Sequence, residues 1–272
     1  PNFSVNVEHG GVKDFGGSGY SGDLWDAVQK VRMCSFREAL AWAAEELGIE
    51  DPKAQRRREA LERFRKAPWK HGRITDVYTY RDEEGQELYQ VVRYHPKADY
   101  PLPPKEKTFR QRHYNPAEAK RGDYVYSIKG VRRVLYRLPE LLEAVEEGRR
   151  IWIPEGEKDV ETLRDLGLAA TTNVMGAGKW RDEYAGPLEG ADVVVLPDNH
   201  STGFEHAEAV ARSLHGRAAS VRILRLPGVG YKEDVTNWVE RGGTAEELEE
   251  LADQVEPFEP SPGTESGPER RG

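Results

Sequence analysis

The amino-acid sequence predicts an α/β protein whose C-terminal part is a parallel sheet flanked by helices. From residue 150 onward, short hydrophobic segments alternate with amphipathic helical ones, as in RRIWIPEG followed by EKDVETLRDLG. Residues 73–138 have a different pattern, with strand-like segments joined by a tight turn. The basic α+β segment and the α/β segment therefore form two successive parts of one chain.

Length and composition predict five segments. A chain of 272 residues has room for two modest globular units. We expect a small N-terminal unit over residues 1–49, a basic helical linker over 50–72 and a basic α+β subdomain over 73–147. An α/β domain follows over residues 148–255. The last segment, 256–272, is rich in Pro, Gly, Ser and charge, which is typical of disorder.

The N-terminal half contains both strand and helix signals. FSVNV alternates apolar and polar residues, as a strand does. After a turn, the glycine-rich segment GVKDFGGSGYSG forms the second arm of this pattern. Asp23 and Ser35 can each cap a helix, and Pro68 stops the basic helix that follows. ITDVYTY and QELYQVVRYH form a hairpin pattern with its turn at Glu84-Gly85. TFRQRHY and DYVYSI are further strands, and LPELLEAVEEG is a helix.

The α/β domain is predicted to contain four strands and four helices. The strands are RRIWIPEG, AATTNV, DVVVLPDN and SVRILRL. The helices are EKDVETLRDLG, HAEAVARSLHG, DVTNWVERGG and TAEELEELADQ. Because strand and helix alternate, the strands should run parallel, with their carboxyl ends at one edge of the sheet.

Composition excludes several classes of protein. No apolar run approaches the roughly 18 residues of a membrane span, and no signal-peptide pattern is present. The single cysteine, Cys34, cannot form an internal disulfide. We therefore expect a cytoplasmic protein without a membrane partner.

The formal net charge of −8 conceals a marked asymmetry. Residues 53–73 contain nine Lys or Arg and two Glu, and residues 105–137 contain ten basic and three acidic residues. Acidic residues concentrate later in the chain. A basic track leading to an acidic metal site would have this distribution, although ordinary solvated faces would have it as well.

Acidic side chains follow three of the hydrophobic strands. Glu155 and Asp159 lie in IWIPEGEKD, Asp198 lies in VVVLPDNH and Asp234 lies in LPGVGYKED. One such acid is commonly a turn former or a helix cap. Three at one sheet edge would repel one another unless a cation lay between them, and their hard oxygen ligands suit Mg²⁺ or Mn²⁺. Such a cluster predicts phosphoryl transfer.

The segments PEGEKDVETL, TTNVMGAGKW, VVLPDNHSTGFEHA and KEDVTNWVERGGT resemble the Toprim domain of phage- and plasmid-type primases. This resemblance covers about residues 132–252. It implies that Glu155 acts as general acid/base or metal-positioning group, and that Asp159, Asp198 and Asp234 belong to the metal site. The sequence departs from the family at His200, where the second acid of a D-x-D pair is expected. His200 is a softer ligand with one negative charge fewer.

The N-terminal unit resembles the second half of the zinc ribbon of primases. The cysteine knuckle of that ribbon would fall on residues 14–17, where the sequence is Asp-Phe-Gly-Gly, and its upstream ligands would precede Pro1. Structural zinc needs about four N or S ligands. We therefore expect a degenerate ribbon that binds no zinc.

The middle segment resembles the basic subdomain that precedes Toprim in bacterial-type primases and forms the template groove with it. KGVRRVLYRLPEL and TFRQRHY carry cations beside aromatic residues, an arrangement suited to phosphate contact and base stacking. A glycine-flanked lysine in TNVMGAGKW could also touch a phosphate. The candidate nucleic-acid contacts are Arg110, Arg112, Lys129, Arg132, Arg133 and Lys179, with water-facing basic strands as the alternative.

The resemblance implies a primase-like enzyme of a phage, plasmid or other mobile element. It would synthesise short primers on a single-stranded DNA template from nucleoside triphosphates, with Glu155 and Asp198 as catalytic residues. No Walker motif is present, so a replicative helicase is the expected partner. Two alternatives stay open, a Toprim metal-dependent nuclease and a catalytically weakened module that binds single-stranded DNA or a helicase.

Overall fold

The computed structural model describes residues 52–120 and 122–260, together with three short strands near the N-terminus. These strands are β1 (Phe3–Val5), β2 (Gly11–Asp14) and β3 (Ser21–Asp23), and they pair antiparallel in the order β1-β2-β3. The helices predicted after Asp23 and Ser35 lie outside the described residues, as does the tail beyond residue 260. The degenerate ribbon without zinc stays a prediction.

The chain divides into two compact units. The first comprises Pro1–Arg73 and His95–Glu106, and the second comprises Ile74–Tyr94 and Lys107–Gly272. In the first unit, the helices α1 (Pro52–Lys66) and α2 (Pro68–His71) follow each other directly. Phe64 is fully buried against Tyr100, with 6.3 Å between ring centroids. Most of the basic side chains of α1 point to solvent.

An antiparallel sheet opens the second unit. Its strands are β4 (Gly72–Arg81), β5 (Glu87–Pro96), β6 (Thr108–Tyr114) and β7 (Tyr124–Val125), in the order β4-β5-β6-β7. The turn between β4 and β5 contains Gly85 at φ 82°, a left-handed conformation that glycine adopts without a steric penalty. The last predicted strand, DYVYSI, is a strand only over Tyr124–Val125.

A parallel sheet forms the rest of the second unit, and the predicted α/β fold class is confirmed. The strands β8 (Ile151–Pro154), β9 (Ala169–Ala170), β10 (Asp192–Leu196) and β11 (Ser220–Ile223) are ordered β11-β10-β8-β9. The flanking helices are α3 (Leu138–Glu146), α4 (Glu157–Asp165), α5 (Ser201–Leu214), α6 (Val235–Glu240) and α7 (Ala245–Asp253). The central strands β8 and β10 are almost completely buried, which explains their unbroken hydrophobic sequences.

Ion pairs at the amino-terminal edge of this sheet hold α7 in place. Arg150 lies just before β8, and its guanidinium contacts Asp192 at 2.8 Å, Glu249 at 2.5 Å and Asp253 at 2.8 Å. Arg222 on β11 contacts Asp192 from the other side at 2.6 Å. This end of the sheet is therefore occupied by structural ion pairs, which leaves the carboxyl edge for a functional site.

Local differences from the predicted elements have physical explanations. The segment AATTNV pairs as a strand only at Ala169–Ala170, because the Thr172 carbonyl accepts from the Tyr136 N–H at 2.9 Å rather than from β8. The hydroxyl of Thr171 donates to the Tyr136 carbonyl, and that of Thr172 donates to the Pro154 carbonyl. A 3₁₀ helix at Asp182–Leu188 was not predicted. Among the described residues, no helix has the length and apolar character needed to cross a membrane.

Candidate metal centre

Two neighbouring strands bring the predicted acids to one edge of the sheet. β8 ends at Pro154 and β10 at Leu196, and these residues pair with each other in the parallel register. Glu155 and Asp198 therefore emerge side by side. Ligand atoms of Glu155, Asp198 and His200 lie within 4.8 Å of one another, which makes them a group that could hold a metal ion.

One carboxylate oxygen of Glu155 has no hydrogen-bond partner. The backbone N–H of Ala177 donates to the carboxylate, but Oε2 is buried without a partner among the described residues. Burial raises the pKa of Glu155, and the hydrogen bond from Ala177 and the positive charge of Lys107 act in the opposite direction. A buried, unsatisfied oxygen that faces other ligand atoms is the expected signature of a cation site.

Asp198 is the acid most perturbed by the cluster. Burial, together with the charges of Glu155, Asp159 and Asp234, raises its pKa to about 8. Mutual repulsion of this kind disappears when a divalent cation binds between the carboxylates. The electrostatics of the cluster therefore fit a divalent cation.

Asp159 and Asp234 support this centre from a greater distance. Asp159 lies on α4, is buried and accepts a 2.5 Å hydrogen bond from the Thr236 hydroxyl. Burial and the charge of Asp234 raise its pKa to about 6. Asp234 caps α6 by accepting from the Asn237 N–H at 2.9 Å. Neither residue belongs to the group that could hold the ion, so their predicted role as ligands stays a prediction.

His200 uses one ring nitrogen to cap a helix. Its Nδ1 accepts from the N–H of Gly203 at 3.1 Å, at the start of α5. Its Nε2 lies 3.9 Å from Glu155 Oε2 and 3.8 Å from Asp198 Oδ2. An acceptor Nδ1 carries no proton, so a neutral ring must carry its proton on Nε2. Ligation of a cation through Nε2 would require Nδ1 to be protonated and would therefore break the cap.

A glycine-rich loop closes the site beside Glu155. Met175, Gly176 and Gly178 all have positive φ, at 72°, 66° and 72°. The buried His206 holds this loop through its Nδ1 atom, which accepts from the Gly178 N–H at 3.2 Å. Buried Asn173 donates to the Gly176 carbonyl at 2.9 Å.

Sequence reasoning missed the residues that hold this loop. No local pattern marks His206, because its partner lies 28 residues away on a different element. Lys179 in the same loop is exposed, as a phosphate contact would require. Lys107, which was also missed, lies just before β6. Burial raises the pKa values of Glu155, Asp159 and Asp198, and the positive charge of Lys107 acts in the opposite direction on each.

The antiparallel sheet carries an aromatic and basic surface, which we call the sheet face. Arg110 and Arg112 alternate along β6 and therefore point to the same side. The Arg112 guanidinium lies 4.0 Å from the ring centroid of Tyr124, and Tyr114 packs edge-on against that ring at 5.9 Å. Tyr114 is 61% exposed. The sheet face consists of Arg110, Arg112, Tyr114, Tyr124 and Tyr126.

The remaining predicted cations lie apart from the sheet face along the chain. Lys129 is exposed. Arg132 forms a bidentate ion pair with Glu83 at 2.8 and 2.5 Å, so its guanidinium is already satisfied. Arg133 lines a small cavity beside Tyr184. Lys129, Arg132 and Arg133 therefore stay predicted phosphate contacts, and Arg132 is the one that is paired with a surface carboxylate.

Comparisons with known proteins found similarity at the level of structure. No protein-family model and no curated protein matches the sequence. The Aquifex aeolicus primase, with its zinc-binding and RNA polymerase domains, is 17% identical over 94% of this chain and 76% of its own, with a TM-score of 0.46. The E. coli primase catalytic core is 18% identical over 86% and 78%, with a TM-score of 0.46.

A third structure, a DnaG primase catalytic domain bound to single-stranded DNA, is 18% identical over 86% of this chain and 79% of its own. Its TM-score is also 0.46. All three of these structures are of primases or parts of primases.

Proposed function

We propose that this chain is a primase-like nucleotidyltransferase that synthesises short primers on single-stranded DNA. In keeping with the sequence resemblance, we assign it to the replication machinery of a phage, plasmid or other mobile element. The observation that carries the proposal is the convergence of Glu155 and Asp198 at one sheet edge, with an unsatisfied buried oxygen on Glu155.

Each part of the site has a role in this proposal. Glu155 and Asp198 would hold Mg²⁺ or Mn²⁺, which supplies charge neutralisation for the phosphate oxygens of a nucleotide. The resemblance assigns Glu155 either this metal-positioning role or that of a general acid/base, which would accept the proton of a primer 3′ hydroxyl. The Ala177 N–H orients that carboxylate, and Lys107 adds positive charge where a triphosphate would lie.

The sheet face is the proposed surface for the template strand. Its tyrosines can stack on successive bases, and its arginines can contact the phosphates. Both kinds of contact tolerate any sequence, as priming on many templates requires. We further propose a replicative helicase as partner, because priming needs a single-stranded template that unwinding supplies.

Primer synthesis with labelled nucleotides on single-stranded DNA tests the proposal in Mg²⁺ and in Mn²⁺. We expect Glu155→Gln to reduce product at least about 100-fold, since general acid–base groups contribute that much or more. Glu146→Gln is the matched control, because Glu146 is an exposed glutamate on α3. Equal product from the parent chain and Glu155→Gln would refute the assigned catalytic role. Degradation of the template without nucleotides would identify a nuclease instead.

One observation favours a second candidate, a binding module with a weak metal site. The helix cap occupies Nδ1 of His200 and leaves two carboxylates as the firm ligands of the centre. This candidate predicts single-stranded DNA binding without primer synthesis, and product from a His200→Asp variant. Product from the parent chain would exclude it.

A further inference from the structure

The loop that leads into α6 is attached to the metal centre through Asn199. Asn199 lies between Asp198 and His200, and its N–H donates to the Glu233 carbonyl at 3.0 Å. Its carbonyl accepts from the Lys232 N–H at 3.0 Å, and its side chain donates to the Val229 carbonyl at 2.7 Å. The loop, residues 228–233, is therefore held beside the candidate ligands.

Two neighbouring residues of this loop point outward. The side chain of Tyr231 is 76% exposed, and the Nζ atom of Lys232 lies 5.3 Å from its ring centroid. Lys232 has φ 63°, a left-handed conformation that a non-glycine residue adopts at a cost. The hydrogen bonds of Asn199 hold it there. Isolated exposed aromatics are common, but this one is presented by a strained loop that is fixed beside a carboxylate cluster.

The only acid in residues 228–233 is turned towards its own loop. Glu233 accepts from the Gly230 N–H at 2.6 Å and from the Arg241 guanidinium at 2.9 Å. Its negative charge is therefore neutralised locally. The outward surface of the loop consists of an aromatic ring and an ammonium group, which suits an anionic ligand with a flat apolar part.

We propose that Tyr231 stacks on a nucleobase and that Lys232 contacts the phosphate of the same nucleotide, at the rim of the metal centre. This proposal rests on the proposed function, because it assumes a nucleotide ligand. A base and its phosphate fit the pair chemically, since every base has a π-face and the ammonium is a compact positive charge. The nucleotide could be an incoming triphosphate or a nucleotide of the template strand.

Binding measurements on full-length variants test this proposal. Fluorescein-labelled single-stranded DNA without nucleotides forms one arm, and MgATP without DNA forms the other. Base stacking contributes at least about 1 kcal/mol, so Tyr231→Ala should weaken binding about fivefold or more in one arm. Tyr231→Phe keeps the ring and should bind like the parent. Because Tyr231 is exposed, the melting temperature of Tyr231→Ala should be unchanged.

Lys232→Gly isolates the charge from the backbone. Glycine adopts the left-handed conformation freely, so the loop should be preserved while the ammonium is removed. If the affected arm is DNA, the slope of log affinity against log salt should fall by about 1. If the affected arm is MgATP, its affinity should fall in the same variant. An unchanged slope and an unchanged MgATP affinity would overturn the role of Lys232.

The arm that responds to Tyr231→Ala identifies the source of the base. Weakening in the MgATP arm indicates the incoming nucleotide, and weakening in the DNA arm indicates the template. Equal affinities of the parent and Tyr231→Ala in both arms would overturn the stacking proposal but not the proposed function. Binding that depends on the Tyr231 ring, without primer synthesis, would refute the proposed enzymatic function and would still support stacking. A parent chain that binds neither ligand would overturn both proposals.

Discussion

At the scale of single residues, the imidazole of His200 faces two different sets of partners. Nδ1 caps α5 by accepting from Gly203, and Nε2 faces the carboxylates of Glu155 and Asp198. The ring cannot keep the cap and ligate a cation through Nε2, because both nitrogens would then need to be unprotonated. We therefore expect His200 to position the helix and to leave ligation to the carboxylates.

Replacement of His200 by Asn separates these two roles. The Asn side-chain oxygen can accept from the Gly203 N–H, but no second ring nitrogen reaches the carboxylates. We expect His200→Asn to bind Mn²⁺ within about twofold of the parent, and His200→Ala to lose about 0.5–2 kcal/mol of stability with the cap. Isothermal titration with MnCl₂ and urea unfolding measure these quantities.

His200→Asp provides the complementary test. It keeps an acceptor for the cap and adds a carboxylate, so it should bind both Mn²⁺ and Mg²⁺ more tightly than the parent. Strong loss of Mn²⁺ binding in His200→Asn, with stability unchanged, would instead identify Nε2 as a ligand.

At the scale of elements, the close approach of α5 to the end of β10 positions Asp198. A Cβ atom added at Gly203 would lie 2.5 Å from the Asp198 carbonyl oxygen, a distance that only displacement of the backbone can relieve. The turn is tightened further by the His200 N–H, which donates to the same carbonyl at 2.7 Å. The glycine of the STG segment is therefore required by packing at the metal centre.

Gly203→Ala should consequently disturb both stability and metal binding. We expect a loss of about 1–3 kcal/mol in the free energy of unfolding, as for other overpacked positions, together with weaker Mn²⁺ binding. Gly186→Ala is the matched control, because a Cβ at Gly186 meets no atom within 4 Å. Urea unfolding and Mn²⁺ titration of both variants decide the matter. Equal stability of the two variants would show that the helix can move away without consequence.

At the scale of the whole molecule, the acidic cluster makes folding stability depend on pH. Burial and neighbouring acids raise the pKa of Asp198 to about 8 in the folded chain, whereas the unfolded value is ordinary. The folded state therefore keeps a proton that the unfolded state has released, so this contribution to stability falls as pH rises towards 8. The pKa values of the salt-bridged acids Glu161 and Asp192 are lowered, so these two acids change the stability only at much lower pH.

The metal-free chain should therefore become less stable between pH 6.5 and pH 8. The free energy of unfolding should fall by up to about 1.4 kcal/mol per pH unit for one proton difference. Burial lowers the pKa of His206. This histidine opposes the slope only at pH values below about 6.5, the pKa of histidine in the unfolded chain. Urea unfolding in EDTA measures the slope, and Asp198→Asn should reduce it, leaving the smaller contributions of Glu155, Glu157 and Asp159, whose pKa values are also raised.

Added Mn²⁺ should reverse the same slope. The ion binds the deprotonated carboxylates of the centre, so its stabilising effect grows as pH rises. Unfolding curves in MnCl₂ at pH 6.5, 7.25 and 8, chosen as steps of about 0.75 unit across the titration of one acid, test this. A slope that is the same with and without Mn²⁺ would show that the cluster does not bind the ion.

Much of the fold was predictable because its signals are local. The buried strands β8 and β10 are continuous hydrophobic runs, and the helices α4 and α7 have regular apolar spacing. Element ends were less predictable. α5 begins at Ser201 rather than at His206, because the His200 ring caps it. Histidine is not among the residues preferred at the N-cap position, so the sequence did not indicate this start.

The sequence by itself determined the α/β class and the acids that follow the strands, because hydrophobic periodicity and chain direction bring carboxyl ends of parallel strands together. Only the tertiary structure decided what each side chain does there. It paired His206 with Gly178 and Asp159 with Thr236. These contacts join residues from different elements, or depend on the burial of the site, and no local pattern in the sequence encodes either one.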